Sequence, residues 1–127
     1  MKNLALIVLI ALVFVGCKKR KARLGDYVGT ETQITETVGV ANDTLVYDQT
    51  FNVDFSNNHY VFTNTVNALS GNWLVPKADL ADDSAYIRHG GLDGWSIDVK
   101  IEGDSLWTTW IDWYDNTTVT RTFVGKK

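Results

Sequence analysis

Thr44-Leu45-Val46-Tyr47-Asp48-Gln49-Thr50-Phe51-Asn52-Val53-Asp54-Phe55 is the stretch on which the fold turns. Leu45, Tyr47, Phe51, Val53 and Phe55 hold odd positions, and Thr44, Asp48, Thr50, Asn52 and Asp54 hold even ones; only Val46 and Gln49 interrupt. Successive side chains of an extended chain point to opposite faces, so this period of two describes a strand with one dry and one wet face. A helix would need a period of 3.6. Trp95, Ile97, Val99 and Ile101 alternate with Ser96, Asp98 and Lys100 in the same manner.

Outward from these two segments the chain keeps the same character from Leu24 on. β-Branched and aromatic residues dominate, and Pro occurs once, at Pro76. Turn residues punctuate it at Ala41-Asn42-Asp43, Ser56-Asn57-Asn58, Gly90-Gly91, Gly103-Asp104 and Asp115-Asn116-Thr117, where Gly, Asn and Asp tolerate the backbone angles that tight turns require. The expected strands are 26–38, 44–55, 59–66, 69–75, 84–89, 94–102, 105–115 and 118–125, joined mostly by hairpins, with the longest loop from Pro76 to Asp83. Leu106 to Tyr114 also places Trp107, Trp110, Ile111 and Tyr114 at helical spacing. Its Thr, Trp and Ile content and the turn signals on both sides favour a strand. That strand carries Leu106, Thr108, Trp110, Asp112 and Tyr114 on one face and Trp107, Thr109, Ile111 and Trp113 on the other. The second apolar face marks a contact surface or a site covered by another segment.

The fold class expected is all-β: a single small antiparallel up-and-down barrel of about eight strands, since closure leaves no long unpaired edge. A sandwich is the alternative. An eight-stranded barrel is either filled by its side chains or holds one small ligand. Tyr47, Phe51, Phe55, Tyr60, Phe62, Trp73, Trp95 and Trp110 are the aromatic residues available to its interior or mouth, as ligand-binding candidates or as plain core.

Gly25-Asp26-Tyr27 at the first strand and Arg121 in the last one carry a resemblance. Over residues 24 to 125 the chain resembles the calycin group, in particular the lipocalin-like domains of short bacterial lipoproteins. Lipocalins open on Gly-x-Trp and cover that Trp with an Arg of the final strand; Tyr27 stands here in place of the Trp. The resemblance implies a barrel-closing pair of Tyr27 and Arg121, a structural role, and binding of a small hydrophobic or amphipathic ligand.

The first residues point to export. Met1-Lys2-Asn3 is a short positive region, Leu4 to Val15 an unbroken apolar run of twelve residues, and Gly16-Cys17 follows. This is the order of a secretory signal peptide, and the run is short of the ~20 residues a membrane-spanning helix needs. Phe14-Val15-Gly16-Cys17 resembles the lipobox of bacterial lipoproteins, with Phe14 where Leu is usual. The resemblance implies cleavage after Gly16 and lipid, including a palmitate-type acyl chain, on Cys17.

The organisation expected is a signal peptide at 1–16, a lipidated Cys and basic tether at 17–23, and a barrel domain at 24–127. Removing sixteen residues from 127 leaves 111, enough for one domain with a workable core. Cys17 is the one Cys, so a disulfide within the exported domain, thiol catalysis and Cys-built metal sites are excluded.

Charge is divided unevenly. Residues 18–23 carry five basic side chains and no acid, whereas 24–127 carry six basic and fifteen acidic ones, about minus nine. An acidic domain argues against a nucleic-acid partner. The tether would be drawn to anionic headgroups, or would serve as a solvated spacer. The resemblance to Gram-negative lipoproteins, in which Asp after the lipidated Cys favours inner-membrane retention and acidic residues there accompany surface export, implies the outer membrane and its periplasmic face, since Lys18 and a basic tether follow Cys17 here.

Nothing specifies catalysis. His59 and His89 lie beside turns without a Ser or Cys elbow, and phosphate-cradling glycine motifs are missing. Asp79, Asp82 and Asp83 offer calcium-type oxygens but not EF-hand spacing. The expectation is therefore a non-enzymatic envelope lipoprotein, without cofactor or metal, whose barrel binds a small hydrophobic or amphipathic ligand. The alternative is a protein-interaction module, an envelope assembly partner or an inhibitor of an extracellular enzyme, with no ligand cavity. Lysozyme inhibitors of bacterial envelopes are of similar size, but usually carry a disulfide.

Overall fold

The computed structural model describes residues 18–64 and 73–127. A short helix α1 at 18–23 leads into eight strands: β1 (Gly25–Thr37), β2 (Asp43–Ser56), β3 (His59–Asn64), β4 (Trp73–Pro76), β5 (Ser84–Gly90), β6 (Gly94–Glu102), β7 (Ser105–Tyr114) and β8 (Thr117–Lys126). They form one antiparallel sheet in the order β4-β3-β2-β1-β8-β7-β6-β5. Pairing of β1 with β8, from Val28↔Lys126 to Thr37↔Thr117, curls the meander into a nearly closed up-and-down barrel, with β4 and β5 at its seam. The single sheet excludes the sandwich. Parts of the expected third and fourth strands, and the whole expected signal peptide with Cys17, fall outside the described residues.

Local chemistry explains the joints. Asn57 and Asn58 both adopt positive φ, 49° and 62°, between the paired residues Ser56 and His59. This is the backbone of a two-residue type I′ turn, whose twist matches that of the flanking strands and which Asn tolerates best after Gly. Gly29 faces Gly125 across the β1–β8 ladder. A Cβ on Gly29 would collide with the Val124 carbonyl and lie 2.5 Å from the Gly125 Cα. The missing side chains are what let the first and last strands approach at the closure, and the Phe123 ring covers the gap over Gly125.

The inward residues of all eight strands pack into one core. Tyr27, Phe51, Val53, Tyr60, Phe62, Val75, Val99, Ile101, Leu106 and Phe123 are fully buried. Phe51 and Phe123 meet at 4.6 Å between ring centroids, and Phe55 packs edge-on against its cross-strand partner Tyr60 at 5.2 Å. Such tilted pairs add about 0.5–1.5 kcal/mol to their area burial. Leu80, from the loop between β4 and β5, fills the end of the barrel nearest α1.

The barrel has two poles. The proximal pole carries α1, the Asn57-Asn58 turn, the 77–83 loop and the Gly103-Asp104 turn. The distal pole carries the tips of the β1–β2, β5–β6 and β7–β8 hairpins. Val38 donates its N–H to the Asn116 carbonyl at 3.0 Å, Asp115 its N–H to Asp93 at 3.0 Å, and Trp113 its indole N–H to the Gly91 carbonyl at 3.0 Å. These bonds fasten the three tips to one another.

The basic segment is not a free spacer. Residues 18–23 are helical, and Arg23 is 5 % exposed. Its guanidinium donates to the Tyr60 hydroxyl at 3.1 Å and to Asp83, while its carbonyl accepts the Tyr27 hydroxyl at 2.9 Å. A long Arg stem buries easily when its head finds partners. Sequence spacing gives no sign of those partners, because Asp83 lies sixty residues away.

Candidate functional site

The distal half of the barrel interior holds the densest set of polar and aromatic groups, and the strand registers explain why. On β1 the inward residues are Tyr27, Gly29, Glu31 and Gln33; on β2 they include Tyr47 and Gln49, opposite Glu31 and Gly29. Glu31 and Gln49 are each 2 % exposed. The Tyr47 hydroxyl donates to the Glu31 carboxylate, which supplies a partner for a charge taken out of water. Gln49 is one of the two residues that interrupt the alternation of β2, and it still points inward. The alternation of the backbone persists while the apolar pattern stops, so the interior turns polar at that level.

β8 and β7 complete the wall. Arg121 is paired in register with Gln33 on one side and Trp110 on the other. Its Nε donates to Gln33 Oε1 at 3.0 Å, and its Nη1 to Asp112 Oδ2 at 2.8 Å, in a partly exposed ion pair. Trp95, on β6, is opposite Asp112 on β7 and His89 on β5. The Trp95 ring stacks on Trp110 at 5.4 Å and 20°, with His89 beyond it at 5.7 Å.

Trp110 is the hinge of this arrangement. Its ring lies 5.4 Å from Trp95 and 4.8 Å from Trp73, and the side chain is 9 % exposed. Among the described residues its buried indole Nε1 has no hydrogen-bond partner. An unmade hydrogen bond at a buried donor costs about 1–3 kcal/mol. It stands among Trp95, Arg121 and Asp112, at the level where the polar lining begins.

The eight aromatic candidates thus divide three ways. Phe51, Phe62, Trp73, Trp110 and Trp95 form one continuous run of rings through the interior: Phe51 meets Trp73 at 5.1 Å, Phe62 meets Trp73 at 6.4 Å, and Trp73 leads on to Trp110 and Trp95. This run crosses the interior from β2 and β3 through β4 and β7 to β6. Tyr47 stands at the distal lining beside Glu31. Phe55 and Tyr60 lie at the proximal pole, under the guanidinium groups of Arg20 and Arg23.

Tyr27 and Arg121 do not form a barrel-closing pair. Along β1, Tyr27 is six residues from Gln33, the register partner of Arg121, so the two lie in opposite halves of the barrel. The cation over the Tyr27 ring is Lys127, at 5.1 Å, held by the carbonyls of Ala22 and Leu24. Burial pushes the Tyr27 hydroxyl up to about 12; Arg23 acts against the shift and Asp104 with it.

The remaining candidates have other surroundings. Asp83, from the acidic loop, accepts from Arg23 and Lys19, and those bonds hold its carboxyl below the usual carboxylate range. Among the described residues, no three His, Cys, Asp or Glu side chains gather as a metal site. His59 bonds the Asn57 carbonyl across its turn. The outward rings of β7 are partly covered by cations, with Lys100 over Trp107 at 5.2 Å and Arg88 over Trp113 at 5.0 Å. No helix among the described residues is long and apolar enough to cross a membrane.

No protein-family model, curated protein or solved structure matches this chain. The functional reading therefore rests on the geometry. Glu31, Gln33, Asp112 and the Trp110 indole N–H are the groups that sequence reasoning missed. Gln49 on the dry face of its strand was the signal that a polar level exists.

Proposed function

We propose that this protein is a lipid-anchored envelope lipoprotein whose lipocalin-like barrel binds a small amphipathic ligand at its distal end. The observation that carries the proposal is the buried Nε1 of Trp110, which has no partner among the described residues, on a ring stacked against Trp95. A ligand with an apolar body against these rings and a carbonyl or hydroxyl oxygen facing the indole N–H would supply the missing acceptor. Its charge is neutral or positive, because Glu31 lines this region and Asp93 and Asp115 rim it, while Arg121 and Asp112 offset each other. The run of rings crosses the interior, and the ligand would sit on its distal side, where Trp110 and Trp95 meet the polar lining.

The test is to incubate the purified protein with envelope lipid extract and analyse it by native mass spectrometry and tryptophan fluorescence. A retained small molecule that quenches or shifts the emission, and is lost from Trp110→Phe, is the result expected. Recovery of the protein with no bound molecule, and no change in emission, would sink the reading.

Attachment rests on the order of charges, apolar run and Gly16-Cys17. Cys17→Ser should move the protein from the membrane fraction to the soluble envelope fraction without altering its fold. Lys18 after the Cys favours the outer membrane, and the basic segment its periplasmic face.

The second reading, a protein-interaction module, is favoured by one observation. Val38, Val40 and Leu92 stand out from the fastened hairpin tips, Leu92 at 97 % exposure. Apolar side chains grouped at one pole suit a partner surface. Substituting all three by Ser would abolish a specific crosslinked partner on that reading, and would leave ligand retention unchanged on the first.

A further inference from the structure

At the opposite pole, α1 and the 77–83 loop border a half-open cavity of about 320 Å³ lined by Lys19, Arg20, Arg23, Tyr60, Lys77, Ala78 and Ala81. Four of those seven residues are cations, and no carboxylate lines it. At ~30 Å³ per water this is room for roughly ten waters, or for one phosphate with its glycerol.

The walls are built rather than incidental. Arg23 is nearly fully buried and is held by Tyr60 and Asp83, so its guanidinium is fixed before anything binds. Lys19 bonds the Ala81 carbonyl at 3.1 Å and Asp83 at 3.1 Å. Arg20 lies over the Phe55 ring at 4.9 Å. Asp83 offsets one charge of the Lys19–Arg23 pair, whereas Arg20 and Lys77 make no ion pair among the described residues. The cavity thus carries surplus positive charge in a domain that is otherwise strongly acidic. Tyr60, Ala78 and Ala81 give it an apolar side, which suits the carbon skeleton of a headgroup; Lys19, Lys77, Ala78 and Ala81 are exposed at its mouth, and Tyr60 and Arg23 are buried at its base.

Position selects the source of the anion. Lys19, which lines the cavity, is two residues from Cys17 in the sequence, so a lipid carried by Cys17 would be joined to the chain within two residues of the cavity lining. We infer that the cavity takes the phosphate of an anionic phospholipid headgroup from the leaflet that holds the chain, and so sets the barrel's orientation on the membrane. This rests on the membrane attachment proposed above and is independent of the distal ligand. Bidentate guanidinium contact from Arg20 or Arg23 and point-charge contact from Lys77 are the interactions expected. Choline-bearing headgroups bring a cation of their own against Lys77 and are disfavoured.

The experiment is a two-dimensional NMR titration of the full chain in neutral-detergent micelles. Dihexanoyl phosphatidylglycerol, dihexanoyl phosphatidylcholine and inorganic phosphate are the three probes. Saturable shifts of the Arg20, Lys77, Ala78 and Ala81 amides with the glycerol lipid, at a concentration about tenfold below that needed with the other two, support the inference. Lys77→Glu and Arg20→Glu should each weaken the response about tenfold, and Lys77→Gln less. All three change side chains outside the core, and unchanged tryptophan emission reports that the fold is intact. Equal response to inorganic phosphate and the glycerol lipid would overturn the lipid source. Absence of saturable shifts, or shifts indifferent to the variants, would overturn the site. Neither outcome bears on ligand retention at the distal pole.

Discussion

Replacing Trp110 by Phe removes the buried indole N–H while keeping an aromatic ring in the stack with Trp73 and Trp95. Two effects oppose each other. Losing the pyrrole half of the indole leaves a void of roughly 40 Å³, which costs about 1 kcal/mol at 24 cal/mol per Å³, and the lost apolar contact adds about 1 kcal/mol. Against this, the unmade hydrogen bond disappears, which returns about 1–3 kcal/mol. The variant should therefore lie within about 1 kcal/mol of the parent, or about 4 °C in melting temperature for a domain of this size. Phe51→Ala, fully buried in the same run of rings, should cost about 3–5 kcal/mol and serves as the scale. Urea unfolding followed by circular dichroism gives both numbers. If Trp110→Phe loses 3 kcal/mol or more, the Nε1 has a strong partner in the folded protein, and the argument that it awaits a ligand oxygen fails.

Three further outcomes follow from other parts of the barrel. Gly29→Ala forces a Cβ against the Val124 carbonyl at the β1–β8 closure and should destabilise by about 1–3 kcal/mol; an unchanged unfolding midpoint would mean that the closure is looser than the structure has it. The Asp83 carboxyl is held below its ordinary value by Arg23 and Lys19, so its stabilising contribution is present above about pH 4 and is lost as pH falls through the lowered value. Asp83→Asn should be less stable than the parent at neutral pH, with the gap closing in acid; a gap independent of pH would refute the pairing. The Tyr27 hydroxyl is raised to about 12, so the folded state keeps a proton that the unfolded chain loses near 10. Stability should fall between about pH 10 and 12, and Tyr27→Phe should flatten that fall in an alkaline melting series.

Legibility in the sequence followed the reach of the forces involved. Alternation in Thr44–Phe55 and Trp95–Ile101, and the Asn, Asp and Gly turns, act over two to four residues, and they placed the strands close to where the structure has them. Leu106–Tyr114 is a strand despite its helical spacing, and its inward set of Leu106, Thr108 and Trp110 is buried together. The sites were less legible. Tyr27 and Arg121 were linked by resemblance, yet the β1–β8 register separates them and gives Tyr27 to Lys127. The tether was read from its charge alone, and charge does not reveal that Arg23 is buried against Asp83.

By itself the sequence determined an all-antiparallel chain of eight strands with one dry face each, since side-chain alternation and turn chemistry are local properties of an extended backbone. Only the tertiary structure decided which inward residues share a level. Closing β8 onto β1 brings Arg121 beside Gln33 across 88 positions, and curling β7 inward strands the Trp110 indole N–H among aromatic rings. The sheet register that brings distant strands together is a property of the whole barrel, because a shift of one residue in any ladder would move each of those groups to the other face.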